Sequence, residues 1–581
     1  MAKSVSIVSE GTGSPLVDKT VSLLKGRITE RCGVAASEGD EDGLRISLLL
    51  DSSIGTEGFL IEGDTGDAVR IVGNDECGLL YGAGKFLRDC RFGDGELAVG
   101  PWRGTSAPAM DVRGMYFASH FHNFYHDAPV EKIQRYVEDL ALSGCNALSV
   151  WFDMHHFNGI DDPAARAMIE RLRATLRAAQ AVGISPGLTT LSNEGYANSP
   201  EELRADWTAG HDGYTRPPGG HYHREICPHK PGGLEFILKT RREMLEAFND
   251  LNIGYVWIWP YDQGGCTCSE CKPWGANGFL KTAEPVASLV RELCPGAKTV
   301  LSTWYFDHFT SGEWDGLTKA FADGKPDWVD YLLADDYSGF PEYPVKHGAP
   351  GGAPLVGFPE ISMEGMWPWG GFGSNPRPRH WQEYWNTASK VLSGSFPYSE
   401  GIFEDLNKFI ILQWEWAPER TVEDLIREYA AGCFSPDVAE SVLQAVMMME
   451  ENHGVGVATR VDGKDVDLRK LCEEAAQGRA YELSYRIGSL PRAEDCLTLM
   501  NEADGKLPTN VRQSWRWRIL WLRAAIDEAM KRSGGQANDE IDGYMEELTE
   551  IYHAQGAEPA VLPPSRGNID DVVRRRGYPQ I

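Results

Sequence analysis

The chain has 581 residues, 42% of them apolar, with 18 Trp, 21 Tyr and 21 Phe; one core would not hold so much, and two to four domains are expected. The 56 Lys and Arg against 85 Asp and Glu give a net charge of −29, which argues against nucleic acid or an anionic membrane as partner. Twelve cysteines in so long a chain are no disulfide scaffold, no run has the apolar length of a membrane span, and the opening MAKSVSIVSEGTGSP lacks the apolar core of a signal peptide, so a cytoplasmic protein of open oligomeric state is expected.

In chain order, short strands are expected at Arg45–Leu50, Gly58–Glu62 and Ala68–Val72. A turn at Asn74-Asp75 and a helix over Cys77–Asp89, carrying Gly82 and Gly84, follow. Residues 1–104 thus read as a small α+β domain, with Pro101, Pro108 and the Gly and Ser between them as a linker. One pattern then repeats eight times: an apolar, β-branched and aromatic run that ends in a polar or acidic cluster, usually before a helical stretch. The runs are Met110–Ala118, Asn146–Asp153, Pro186–Asn193, Ile253–Asp262, Thr299–Asp307, Val329–Asp336, Pro354–Glu360 and Ser395–Glu400. Eight strands alternating with helices predict an α/β fold, a closed parallel (β/α)8 TIM barrel over residues 105–432. Val130, Ile133, Val137, Leu140 and Ala141 recur at helical spacing before Gly144, and Met168, Leu172, Leu176 and Ala179 do so before Gly183. Residues 433–581 read as a helical C-terminal domain with helices at Val438–Glu451, Leu468–Ile487, Val511–Arg532 and Asn538–Tyr552, then a tail rich in Pro, Gly and Arg.

Catalytic groups of such a barrel lie at the C-terminal ends of its strands, where these runs deliver acids. Strand four ends in Asp262-Gln263-Gly-Gly after Trp257, Trp259 and Tyr261; apolar surroundings raise a carboxyl pKa and suit it to general-acid work, although a turn Asp is common in that position. Strand seven delivers Glu360, readable also as a structural acid paired with Arg. Strands four and seven face each other across the mouth, and two opposed carboxyls are what glycoside hydrolysis requires. Glu400, ending strand eight, competes for the nucleophile role, while Glu404 and Asp405 suit the start of the next helix. Asp153 (beside His155 and His156), Asp335, Asp336, His120 and His122 are candidate hydroxyl-binding groups. Trp304, Trp367 and Tyr398, with Tyr305 and Trp369, are candidate faces and partners for a sugar ring.

Cys266-Thr-Cys268-Ser-Glu-Cys271 places three thiols within six residues, and Cys227 lies upstream; four thiolates close a tetrahedral structural zinc shell, the alternative being free thiols in a reducing compartment. His120-Phe-His122 has the spacing of a metal pair, but the Lys, His and Asp ligands that barrel amidohydrolases place on later strands have no counterparts.

Gly58-Phe-Leu-Ile61, Val69-Arg-Ile71 and Gly78-Leu-Leu-Tyr-Gly82 resemble the domain that precedes the barrel in β-N-acetylhexosaminidases and bacterial α-glucuronidases. Arg113-Gly-Met-Tyr-Phe117 and Asn146-Ala-Leu148 resemble the hexosaminidase barrel, so the likeness covers roughly residues 45–160. It departs at Ala118 and Phe121, where that family carries Asp and Arg, and at Asp262-Gln263, where it carries the Asp-Glu pair of acetamido-assisted hydrolysis. The segment from Asp262 to Cys271, with Cys227, is similar to zinc-bearing barrel β-galactosidases. That resemblance implies Asp262 as acid/base, Glu360 as nucleophile and Cys227, Cys266, Cys268 and Cys271 as zinc ligands, with Asp-Gln in place of the family's Asn-Glu.

The expectation is therefore a glycosidase acting on a small glycoside or oligosaccharide, with no organic cofactor and a possible structural zinc ion. A catalytically disabled carbohydrate-binding barrel, suggested by Gln263, and a metal-dependent hydrolase using His120 and His122 are the alternatives.

Overall fold

The eight apolar runs fold into eight parallel strands: Val112–Phe117, Ala147–Trp151, Ser185–Leu191, Tyr255–Trp259, Lys298–Ser302, Tyr331–Asp335, Leu355–Phe358 and Leu392–Ser395. Each pairs with the next, and the eighth returns to the first through Gly394↔Val112 and Ser395↔Arg113, closing the barrel. The computed structural model describes residues 1–9, 13–39, 43–64, 68–119, 123–206, 224–261, 265–308, 310–336, 339–362, 366, 368, 373–453, 460–461, 464–465, 490–534 and 538–553.

Aromatic rings fill the barrel interior. Tyr116 stacks on Trp257 at 5.4 Å and on Tyr398 at 5.7 Å, and Phe396 meets Trp257 edge-on at 4.7 Å. Phe396 leaves no room for a side chain at residue 114, where a Cβ would lie 2.2 Å from its ring; that is why the first strand carries Gly114. The eighth strand starts earlier than its sequence run, at Leu392, and is interrupted at Phe396-Pro397, because Pro397 has no N–H for the ladder. It resumes as the two-residue strand Tyr398–Ser399, paired with Tyr116 and Phe117.

Ahead of the barrel a six-stranded sheet runs in the order Ala35–Glu38, Ser4–Ser9, Leu44–Leu50, Ala68–Gly73, Phe59–Gly63, Gly104–Ser106. The three strands expected from sequence are there. The strand Ser4–Ser9, the helix Pro15–Cys32 and the strand Ala35–Glu38 were not expected, and Gly104–Ser106, inside the stretch read as linker, pairs antiparallel with Phe59–Ile61. The helix Glu76–Asp89 is capped by Asp75, whose carboxylate accepts from the Gly78 N–H at 2.8 Å. It packs on the first barrel helix, Val130–Leu142, so closely that a Cβ on Gly84 would lie 1.9 Å from the Leu142 carbonyl oxygen.

The chain goes on through helices Val422–Cys433, Ala439–Asn452, Ala493–Asp504, Thr509–Arg512, Trp515–Ser533 and Asp539–Ile551. The stretch expected as one helix over Val511–Arg532 breaks at Gln513-Ser514, where the Ser514 side chain caps the next helix. The expected helix Leu468–Ile487 lies outside the described residues. No helix among the described residues is long and apolar enough to cross a membrane.

Candidate functional site

The C-terminal strand ends gather buried carboxylates. Glu360 follows strand seven and is 2% exposed; the Trp304 indole N–H, from the end of strand five, donates to its Oε1 at 2.8 Å. Beside it, Tyr398 donates its hydroxyl to Glu400 Oε1 at 2.9 Å. Burial pushes the Tyr398 phenol well above its ordinary value, and the charges of Glu400 and, more weakly, Glu360 add to the effect. Tyr398 is therefore within electrostatic reach of both Glu360 and Glu400, at the ends of adjacent strands seven and eight.

Asp335 and Asp336 end strand six. The Tyr305 N–H donates to Asp335 Oδ1 at 3.4 Å, with Tyr305 in the left-handed region at φ 59°. Burial lifts the Asp336 carboxyl to about 8; the Asp335 charge adds to this and Arg377 opposes it. Trp259 and Trp304 meet at 5.7 Å, Trp304 and Tyr305 at 4.4 Å, so the fourth and fifth strand ends form an aromatic wall.

At the second strand end Asp153, His155 and His156 place three potential ligand atoms within 4.8 Å of one another. His155 Nδ1 contacts Asp153 Oδ1 and lies 2.9 Å from Glu194 Oε1, at the end of strand three. Burial disfavours charge on His155, yet Asp153 and Glu194 outweigh it and lift the imidazole to about 10. Arg241 packs behind Glu194, donating to the Leu191 and Glu194 carbonyl oxygens at 2.5 and 2.7 Å. Burial raises the Glu194 carboxyl to about 7, against the opposing pull of His155 and Arg241.

Of the residues singled out from sequence, Asp153, Trp304, Asp335, Asp336, Glu360, Tyr398 and Glu400 all lie at the strand ends. His120, His122, Asp262 and Trp367 lie outside the described residues. Glu194 and Glu313 were missed. Glu313 opens the helix Glu313–Ala320 and accepts from the Tyr261 hydroxyl (2.7 Å), the Gly275 N–H (2.8 Å) and the Asp307 N–H (3.0 Å). It thereby pins Tyr261, the residue before Asp262.

Cys227, Cys266, Cys268 and Cys271 come together from two loops: Cys227 lies 3.9 Å from both Cys268 and Cys271, and all four Sγ atoms fall within 4.8 Å. A tetrahedron with metal–sulfur bonds of about 2.3 Å has corners about 3.8 Å apart, so the four thiols fit a metal ion of that bond length. The Asp206 N–H donates to Cys266 Sγ at 3.3 Å, and His229 Nδ1 lies 3.2 Å from Cys271 Sγ, contacts suited to thiolate charge.

No protein-family model matches the chain, and no curated protein does. Solved structures do. A family GH115 4-O-methyl-α-glucuronidase with specificity for decorated arabinogalactans is similar at TM-score 0.60 and 11% identity, over 100% of this chain and 79% of that one. A GH138 enzyme targeting pectin rhamnogalacturonan II gives TM-score 0.54 at 12% identity, over 97% and 77%. The GH20 β-N-acetylhexosaminidase of Streptomyces coelicolor A3(2) gives 0.51 at 14%, over 77% and 92%. At these identities the likeness is one of fold.

Proposed function

We propose that this chain is a glycoside hydrolase. Glu360 acts as nucleophile or base, and Asp262, following Tyr261 after strand four, as acid/base across the mouth. Glu400, at the end of the adjacent strand eight, is the alternative nucleophile. The observation that carries the reading is Glu360 itself: a buried carboxylate at a barrel strand end, held by the Trp304 indole beside the Tyr398–Glu400 pair. Such preorganisation suits a group that must meet developing positive charge on an anomeric carbon. Asp153, Asp335, Asp336, Trp304 and Tyr398 at the strand ends, and His120, His122 and Trp367 from the sequence, supply hydroxyl contacts and flat faces. All three solved structures described above are glycoside hydrolases, which supports the class and leaves the sugar open.

The four-cysteine cluster is proposed to hold a structural zinc ion, supported by the thiol spacing and by the preference of soft thiolates for this metal. Its place is to tie the loop after strand four to the segment after strand three.

The test is a panel of 4-nitrophenyl glycosides with wild type and Glu360→Gln. Wild type is expected to release nitrophenol from at least one, and the variant to lose at least about 1,000-fold in kcat with its Tm kept. Turnover of none by wild type, or full activity in Glu360→Gln, would overturn the reading.

A further inference from the structure

We infer that Tyr552, from the C-terminal helical region, is a positioning residue for Glu400, so that this region completes the barrel mouth. The inference rests on the proposed role of Glu400 at that mouth. Glu400 leaves the sheet after a strand of only two residues, Tyr398–Ser399, whose last ladder bond runs from the Ala118 N–H to the Ser399 carbonyl at 2.9 Å, so the N–H and carbonyl of Glu400 itself lie beyond the ladder. Side chains hold them instead. Glu404 Oε1 accepts from the Ser399 hydroxyl (2.8 Å), the Glu400 N–H (2.9 Å) and the Gly401 N–H (3.0 Å). The Gly401 carbonyl accepts from Lys408 and from the Tyr125 hydroxyl at 3.1 Å.

The Glu400 carbonyl accepts from the Tyr552 hydroxyl at 2.8 Å, a bond that spans 152 positions of sequence. Tyr552 follows the helix Asp539–Ile551 and is 6% exposed. Its ring stacks on Phe403 at 4.5 Å and 13° and meets Phe124 edge-on at 5.8 Å. The fit leaves no slack: a Cβ on Gly401 would lie 2.6 Å from both the ring and the hydroxyl of Tyr552. The barrel's own residues thus fix the N–H side of the turn, and Tyr552 fixes the carbonyl of Glu400. Together they set the backbone from which the carboxylate reaches Tyr398. Small misplacements of a reacting group cost rate out of proportion to their size.

Tyr552→Phe keeps the ring stack and removes only the hydroxyl. On the 4-nitrophenyl glycoside that wild type hydrolyses fastest, the variant is expected to lose about tenfold in kcat while KM stays within about twofold and the pH–rate limbs move. A purely structural tyrosine would lower Tm and leave kcat and the pH profile where they were, and that result overturns the inference. If wild type hydrolyses none of the panel, the hydrolase reading falls separately. The positioning claim is then read from a crystal structure of Tyr552→Phe. Loss of the Tyr398–Glu400 hydrogen bond supports it, and its retention at the 2.9 Å of the parent overturns it.

Discussion

Asp335 and Asp336 are neighbours in sequence, yet each meets a different fate. The Tyr305 N–H supports Asp335, whereas burial and the adjacent charge keep a proton on Asp336 up to about pH 8. At neutral pH Asp336 can therefore donate a hydrogen bond, and it becomes a purely accepting carboxylate only as pH rises. Asp336→Asn mimics the protonated form and cannot ionise. It is expected to match wild type in kcat/KM near pH 6 within about twofold and to lack an alkaline limb near pH 8. A pH–rate profile identical to that of wild type would contradict this.

An acid that ends an apolar run is legible as a strand-end group, and Asp153, Asp335, Asp336, Glu360 and Glu400 do lie at strand ends. Glu194 was legible by the same rule, but the third run was closed one residue early at Asn193. Glu313 was not legible: an acid in the first turn of a helix looks like a partner of the helix dipole, and only the fold shows it gripping Tyr261, Gly275 and Asp307.

Among elements, the barrel strands were readable because fully buried parallel strands are continuous apolar runs. The helix Pro15–Cys32 carries Val17, Val21, Leu24 and Ile28 at helical spacing behind Ser14-Pro15, a start signal that could have found it, diluted by Gly26 and the interspersed Lys, Thr and Arg. The split eighth strand and the break at Gln513-Ser514 depend on Pro397 and on a serine cap, local choices that periodicity does not register. The cluster of Cys266, Cys268 and Cys271 was readable from spacing, whereas no such spacing marks Cys227, on another loop, as the fourth thiol of a zinc shell. Metal analysis of the purified chain is expected to give about one zinc per chain, lost in Cys268→Ser together with a fall in Tm. Retention of the metal in a variant with two cysteines replaced, or its absence from wild type, would contradict the zinc assignment.

Across the molecule, buried ion pairs join what the sequence divides. Arg113, fully buried on the first strand, reaches Glu57, in the turn before the strand Phe59–Gly63, at 2.7 Å, and Arg516 of a C-terminal helix reaches Asp139 and Asp405 at 2.9 and 2.8 Å. Glu428 on the helix Val422–Cys433 meets Arg420, Arg88 and Lys85 at 2.8, 3.0 and 3.1 Å, the last two on the helix Glu76–Asp89. Burial disfavours its charge, but the three cations outweigh this and hold its carboxyl well below the usual range. A depressed folded-state pKa adds stability that is present above the unfolded value of about 4.3 and is lost as pH falls towards the folded value. Thermal melts from about pH 6 to pH 3 should therefore fall less steeply for Glu428→Gln than for wild type, from a lower start; parallel curves would contradict the linkage. These joints were invisible in the sequence, since pairs such as Arg516 and Asp139 lie hundreds of positions apart.

The most direct test is a crystal structure of the wild-type protein with an iminosugar bound. The inhibitor is expected in the barrel mouth with the carboxylates of Asp262 and Glu360 on opposite sides of its ring, about 5–5.5 Å apart for retention or about 6.5–9.5 Å for inversion. An inhibitor bound elsewhere, or a Glu360 carboxylate turned from the ring onto an arginine, would contradict this.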